Sequence, residues 1–425
     1  MRILLSSDLY FPAVNGVSQF TRNFAQALAK EGHTVGIIAA SPTGKRMIEF
    51  EGDVTIYRTR SIVFPFYQNI RISVAPQVEV RRIVKDFNPD VMHTQLLLGI
   101  GQAVMSVSEK YNIPMVSTSH AMPENLMDNL KKLSAFSKPI NYMLRDYGRR
   151  FHNRADLITS PTQSAIDGFG KHASKIKKPI KIISNGIDLS TFKPGVMSDD
   201  LYKKYNLPQD RQLIVYIGRL DAEKHINVII KALKQILKQK DVHLLLVGYG
   251  LEEQNLKQMV SDLELGEHVT FGGFVPEEDK IELVKAGDLF MMASPAELQC
   301  ISALEAMAGG MPVVGVNAGA LPELCQDGRN GYLFDLDNDE QAAELALKIL
   351  NDDELRAKFS KQSVAIASTH DMAHTVEQFI DVYNEAIACT AKNKGKKRRV
   401  IAAKGLGKLK EAAKKLKKSS SSEKS

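Results

Sequence analysis

Glu297 and Glu305 stand in the stretch "SPAELQCISALEAMAGGMPVVGV", residues 294–316, with seven residues between them. Glu297 falls in a loop after the apolar run "DLFMMAS", and Glu305 one turn into a helix predicted to start near Ser302. Between the two acids lie the amides of Gln299, Cys300 and Ile301, at a helix N-terminus whose unsatisfied N–H groups and dipole favour an anion. One carboxylate can thus meet a ligand at the helix entrance while the other stays deeper. The order acid, anion site, acid suits a ligand with hydroxyls at both ends and phosphates in the middle. A nucleotide-diphosphate sugar has that order.

Cations follow another apolar run. "YIGRLDAEKHI" places Arg219 and Lys224 after a strand, with Gly218 permitting a tight exit. A planar guanidinium grips a diphosphate bidentately and an ammonium adds a point charge. The same spacing also fits a solvated helix start, with Asp221 and Glu223 as local ion partners. "LLVGYGLEEQNL" offers Gly248 and Gly250 for backbone approach to a phosphate, or for an ordinary turn. Gly16, in "DLYFPAVNGVSQF", sits just ahead of another helix N-terminus. His120, in "STSHAMPENL", ends a strand on the ligand-binding side of such a sheet, as a polar substrate contact or a hydrogen-bonded structural residue.

No metal is expected. "GYLFDLDND" sets Asp335, Asp337 and Asp339 in alternation, but Glu340 and Ala346 occupy positions where a calcium loop needs glycine and its last ligand. The segment reads better as a helix cap with acids in the first turn. A phosphate-binding G-x-x-x-x-G-K-S/T loop is also lacking, so phosphate handling must rest on Arg, Lys and helix ends.

These residues need a scaffold. Continuous apolar runs, "RILLSSD", "TVGIIAA", "DVMHTQ", "PMVSTSH", "DLITSP" and "IKIISNGID", alternate with helical patterns in the first half. "QLIVYIGR", "VHLLLVGYG", "HVTFGGF", "DLFMMAS", "MPVVGV" and "GYLFD" do so in the second. Strands that are apolar throughout, joined by helices, imply parallel sheets covered on both faces. At 425 residues two domains are expected. The polar, proline-bearing stretch 189–211 divides 1–188 from 189–371, giving two doubly wound α/β domains with a working cleft between them.

The three cysteines, Cys300, Cys325 and Cys389, fit no metal spacing and read as reduced thiols of a cytoplasmic protein. "MRILLSSDLYFP" is too short and polar for a signal peptide.

With these residues in hand, the chain resembles the retaining glycosyltransferases of family four, which have the GT-B fold. "GRLDAEK", Gly16, "SNGID" at 184–188 and the Glu297/Glu305 pair carry the resemblance, in order, over residues 1–390. It implies a donor such as a UDP- or GDP-hexose, with Arg219 and Lys224 on the diphosphate and no metal. It also implies Glu305 on the ribose, Glu297 on the hexose, and the Val275 backbone at the base. Gly16 would lie against the diphosphate and His120 against the sugar. A final helix, about 372–390, would cross back to the first domain. The chain departs from the family pattern at Asn15, where a second glycine is common, at His225, where glycine is common, and at Gln95, where a histidine is frequent.

The acceptor is read from charge. Residues 392–418 hold 13 Lys and Arg against one Glu, a net +12, and the last seven sum to zero. With +7 overall, the first 391 residues carry −5. Ala402, Leu406, Leu409, Ala413 and Leu416 would form one stripe of a helix, although Gly405 and Gly407 weaken it. Such a tail, disordered or lying on a membrane surface, would adhere to anionic lipid at about 1 kcal/mol per basic residue. A solvated tail or one that binds nucleic acid is the alternative, and no specific nucleic-acid partner is expected of an acidic body. "HAMPEN" and "NLKKLSAFSKPINYMLRDYGRRF" resemble the lipid-acceptor branch, which includes diacylglycerol glucosyltransferases and phosphatidylinositol mannosyltransferases. Glu124, Asn125, Lys131 and Lys132 would then form the acceptor region, with Arg149 and Arg150 adding charge. The expectation is a peripheral enzyme of the cytoplasmic membrane face. The rivals are an enzyme with a soluble or inositol-type acceptor and a non-catalytic scaffold.

Overall fold

The computed structural model describes residues 1–13, 15–64, 71–120 and 137–392. Its first half contains β1 (Arg2–Ser6), β2 (Thr34–Ala40), β3 (Met47–Glu51), β4 (Val54–Thr59), β5 (Ser61–Val63), β6 (Arg71–Ser73), β7 (Val91–Thr94), β8 (Met115–Thr118), β9 (Leu157–Ser160) and β10 (Ile180–Ile182). Among the described residues, eight of these form one sheet in the order β10-β9-β8-β7-β1-β2-β4-β3. The second half contributes β11 (Gln212–Ile217), β12 (Val242–Val247), β13 (Val269–Gly273), β14 (Leu289–Met292), β15 (Val313–Val316) and β16 (Gly331–Phe334). They form a second sheet, β13-β12-β11-β14-β15-β16, parallel throughout.

The expectation of parallel pairing is corrected at one edge. β3 runs antiparallel to β4, while β5 and β6 form a short antiparallel ribbon. Only the two residues Gly52 and Asp53 join β3 to β4, and Gly52 takes φ 58°, the positive value that two-residue hairpin turns demand. A connection that short cannot return the chain in parallel.

The first sheet is covered on both faces. Phe20, Phe24 and Leu28 of the helix Gly16–Lys30 pack on one side, together with Val376, Phe379, Val382 and Tyr383 from the helix 372–392. Phe379 lies 4.6 Å from the Phe24 ring, and burying one such side chain contributes roughly 1.5–3 kcal/mol. Val80, Ile83, Val104 and Val107, from the helices Pro76–Phe87 and Gly99–Tyr111, cover the other side. The last helix thus begins after the second sheet yet packs on the first.

"SNGID" secures that crossing. Thr375 Oγ1 donates to Ser184 O (3.1 Å), His370 Nδ1 lies 2.8 Å from Ser184 Oγ, and Ile187 bridges to Asp371. Gly186 is at φ 70°, and a Cβ there would come within 2.6 Å of Thr375 Oγ1. Within this structure the motif works as a junction.

Strand order marks where ligands fit. In the first sheet the chain reverses direction of growth between β1 and β7, and in the second between β11 and β14. Beyond the carboxyl ends at such points the flanking loops splay apart and leave a crevice.

Candidate functional site

The loop after β11 carries both cations singled out by the sequence. A Cβ on Gly218 would lie 2.7 Å from the Tyr216 hydroxyl, which donates to Arg219 O (2.8 Å) and fixes the exit. Gly248, after β12, takes φ 137°, and a Cβ there would fall 1.8 Å from Gly218 O. Gly248 and Gly250 therefore let two strand-exit loops touch, and Glu252 N donates to Leu220 O (2.8 Å). Of the two readings of this pair, the packed turn is the one built here.

Arg219 is held by Asp221 and Glu223, the ion partners that the spacing offered. Both acids are buried, and Asp221 Oδ1 also accepts from Leu251 N (2.9 Å). Lys224 reaches across the switch point to the loop after β14, where its Nζ lies 2.6 Å from Glu297 Oε1. Burial opposes charge on both partners. The Glu297 carboxylate nevertheless holds the Lys224 pKa above its ordinary value. Lys224, the Ser294 hydroxyl and Arg219 in turn hold Glu297 below the usual carboxylate range. Both groups are ionised at neutral pH.

Glu305 has its own ammonium. Lys280, on the helix Glu277–Ala286, places Nζ 2.8 Å from Glu305 Oε1. Here burial outweighs the lysine, and the Glu305 pKa is raised. The two carboxylates thus share a partner type and differ in direction. Sequence reasoning missed Lys280, because its only signal is an i,i+3 neighbour, Glu277, on the same helix.

Between the acids, Gln299 and Cys300 are buried. Gln299 Oε1 accepts from Asn185 N (2.8 Å) and its Nε2 donates to Ser184 Oγ (2.6 Å), tying this loop to the junction. Thr162 Oγ1, after β9, donates to Leu298 O (2.7 Å), a second tie between the halves. Cys300 takes φ 64° just before the helix Ile301–Ala308, and Ile301 packs against the cores of both halves. These side chains position the helix entrance, where Ala303 N and Leu304 N both donate to Cys300 O (3.0 and 3.2 Å). Val275 lies half-buried after β13, against the core of the second half.

The first sheet contributes neutral groups. Gln95, beyond β7, accepts through Oε1 from His120 Nε2 (2.9 Å), which leaves Nδ1 as the acceptor nitrogen of that ring. His93 Nε2 lies 2.6 Å from Thr118 Oγ1, and its Nδ1 lies 2.8 Å from the Tyr383 hydroxyl of the last helix. Burial lowers His93 and His120 to about 3 and His152 to about 4, so all three are uncharged at neutral pH. Gln95, where a histidine is frequent in the family, is the built support of His120.

Gly16 is the first residue of its helix, capped by Asn15, and a Cβ there would meet nothing within 4 Å. Glu124, Asn125, Lys131, Lys132 and all of the tail beyond Lys392 lie outside the described residues. Arg149 and Arg150 both pair with Asp146. Asn338 caps the helix Asp339–Leu350, accepting from Gln341 N (3.0 Å), as read for the alternating aspartates. Among the described residues no cluster of three or more His, Cys, Asp or Glu could hold a metal ion, and no helix is long and apolar enough to cross a membrane.

Two doubly wound sheets, with a last helix that returns to the first of them, have the GT-B fold. Residues 14–191 match the family described as "Glycosyltransferase Family 4" and residues 197–364 that of "Glycosyl transferases group 1". The chain belongs to this group 1, family 4 type. It is similar to an alpha-monoglucosyldiacylglycerol synthase of Streptococcus pneumoniae, 27% identical over 90% of this chain and 86% of that one. A GDP-mannose-dependent alpha-mannosyltransferase of Corynebacterium glutamicum is 24% identical over 83% and 81%. Among solved structures, Anabaena HepE in complex with UDP and glucose superposes with a TM-score of 0.67 at 22% identity, over 90% and 99%.

Proposed function

We propose that this glycosyltransferase moves a hexose, glucose on the strongest support, from a nucleotide-diphosphate sugar to a lipid acceptor such as diacylglycerol, with retention of configuration. The Lys224–Glu297 pair, 2.6 Å apart across the switch point, carries the reading. It sets a cation and an acid side by side where diphosphate and hexose would meet.

In this scheme Arg219 and Lys224 bind the diphosphate and stabilise the charge that grows on it as the glycosidic bond breaks. An ammonium has three donors, so Lys224 can keep Glu297 and still reach an oxygen of the leaving group. Glu305 accepts from the ribose hydroxyls, the Val275 backbone meets the base, and the loop at Gly16 faces the diphosphate. His120 Nδ1 accepts from a sugar hydroxyl. Glu297, held by Lys224, is a weak nucleophile and serves the hexose as a hydrogen-bond acceptor. The acceptor hydroxyl then attacks from the face the diphosphate leaves, and a diphosphate oxygen takes its proton. Every cation in this scheme is a protein group, so it needs no metal.

Glucose and diacylglycerol rest on the name of the streptococcal relative, and a nucleotide donor on the UDP held by HepE. A membrane surface is supported by the helix Ser137–His152, which exposes Tyr142 and Met143 and carries the exposed Arg150 in its last turn. The net +12 of residues 392–418 points the same way. The test is a mass-spectrometric screen of UDP- and GDP-hexoses against a lipid extract, with and without EDTA, on the full chain and on one ending at residue 391. A hexosylated diacylglycerol formed in EDTA, and formed poorly by the shortened chain on anionic vesicles, is expected. Transfer to soluble acceptors alone would overturn the lipid reading.

A further inference from the structure

Lys280 is more enclosed than an amphipathic surface helix requires. Its helix Glu277–Ala286 opens with Glu277, Glu278 and Asp279, acids that suit a helix N-terminus, and the lysine follows one turn later. Only 14% of its side chain is exposed. The ammonium lies 2.8 Å from Glu305 Oε1, 3.1 Å from Glu277 Oε1 and 5.2 Å from the centre of the Phe192 ring. Phe192 is buried in the stretch between the two sheets, and its N–H donates to Asp188 O (2.9 Å). A carboxylate, an aromatic face and a second carboxylate thus fix one ammonium from three sides, a built position that no role assigned so far uses.

We infer that Lys280 is a positioning residue for donor recognition, holding the Glu305 carboxylate ionised and oriented so that both of its oxygens can accept from the vicinal hydroxyls of a ribose. This rests on the reading of Glu305 as the ribose contact. An ionised carboxylate is acceptor-only and can take two hydroxyl donors, whereas the protonated acid turns one oxygen into a donor and loses half of the match. Glu305 is buried, and without a cation a buried carboxylate takes up a proton.

The charged groups that face Glu305 are Lys280 and Glu277, both from the helix Glu277–Ala286. β14, also packed on the helix Ile301–Ala308, is apolar throughout, and no charged group of the helix Asp353–Ala367 bears on Glu305 among the described residues. Burial pushes Glu305 up, Lys280 pulls it down and Glu277 adds to the rise. Lys280 is stabilised by two acids, while Glu305 shares its one cation with a rival. Affinity for the ribose should therefore fall as pH drops through the raised Glu305 value. Removing Lys280 should move that fall to higher pH, and removing Glu277 should move it to lower pH.

The test is calorimetric titration of the full chain with UDP and GDP and with their 2′-deoxy counterparts. If the wild type does not distinguish ribose from deoxyribose, the ribose reading of Glu305 fails, whatever Lys280 does. Given that preference, Lys280→Met should weaken binding about tenfold or more near about pH 6.5, lose the preference there, and regain most of both near about pH 8.5. Lys280→Arg should keep the wild-type preference. Unchanged affinity and preference in Lys280→Met, or a loss equal at both pH values, would overturn the inference. Should Lys280→Met not fold, Glu277→Gln, at a half-exposed position, decides. A pH edge moved downward supports the inference and an unmoved edge overturns it.

Discussion

The two sheets carry opposite chemistry at their strand ends. Strand ends of the first carry His93, Gln95, Thr118, His120 and Thr159, a hydrogen-bonded set without charge, in which burial has driven the imidazoles neutral. Strand ends of the second carry Arg219, Asp221, Glu223, Lys224 and Glu297, bound as ion pairs. Burial opposes charge in both places. It prevails at the imidazoles, which have no counter-charge beside them, and yields at the Lys224–Glu297 pair, whose charged atoms lie 2.6 Å apart. A molecule divided in this way suits a ligand that is itself divided, with a diphosphate at one side and uncharged hydroxyls at the other.

The largest effect should come from cutting the charged side. Lys224→Ala removes the proposed leaving-group cation, so turnover should fall by about 3 kcal/mol or more of transition-state stabilisation, as should turnover of Arg219→Ala. It also leaves Glu297 buried without its partner, which should lower unfolding stability by about 3–5 kcal/mol in urea titrations. Normal turnover in Lys224→Ala, with strict dependence on added magnesium or manganese, would break the comparison at this end.

Acid should expose the neutral side. His93 and His120 titrate at about 3 and His152 at about 4 when folded, against 6.5 for the ordinary imidazole. Below that ordinary value the unfolded chain binds more protons, so their contribution is complete above about pH 6.5 and is lost as pH falls towards the folded values. At about pH 5 each histidine should cost about 2 kcal/mol. Asp8, raised to about 6 by burial against backbone N–H bonds from Ile100 and Gly101, works in the opposite direction over this window and offsets part of the loss. A urea midpoint that stays flat from about pH 7 to about pH 5 would contradict the description of these rings.

The smallest effects separate the carboxylates. Glu305→Gln should weaken nucleoside diphosphate binding by about tenfold, or about 1.4 kcal/mol, while Glu297→Gln should leave that binding near normal and lower hexose transfer. Equal losses of nucleoside diphosphate affinity, measured by titration, would erase the distinction.

Strands buried on both faces were legible as apolar runs of strand length, such as "QLIVYI" and "VHLLLV", bounded by polar or glycine-bearing turns. β3 was not, because "MIEFE" is an edge strand with Ile48 and Phe50 exposed, and its residues alternate. Lys224 and Glu297 were legible singly, each beside a strand end, but their contact spans 73 positions and comes from two loops that the sheet brings together. Lys280 and Gln95 were illegible for the same reason, since nothing local singles out their partners, Glu305 and His120. His225 shows what a departure costs. It sits at φ 50°, where glycine is at ease, and its ring is secured by Asp337 Oδ1 at 2.7 Å.

The anomeric configuration of the first product tests the account most directly. The full chain would be given its best nucleotide-hexose and diacylglycerol vesicles in EDTA, and the new glycosidic linkage read by NMR. The account predicts a glycolipid whose anomeric centre keeps the donor's configuration, formed without added metal and lost in Lys224→Ala. An inverted linkage, or transfer restored only by a divalent cation, would contradict it.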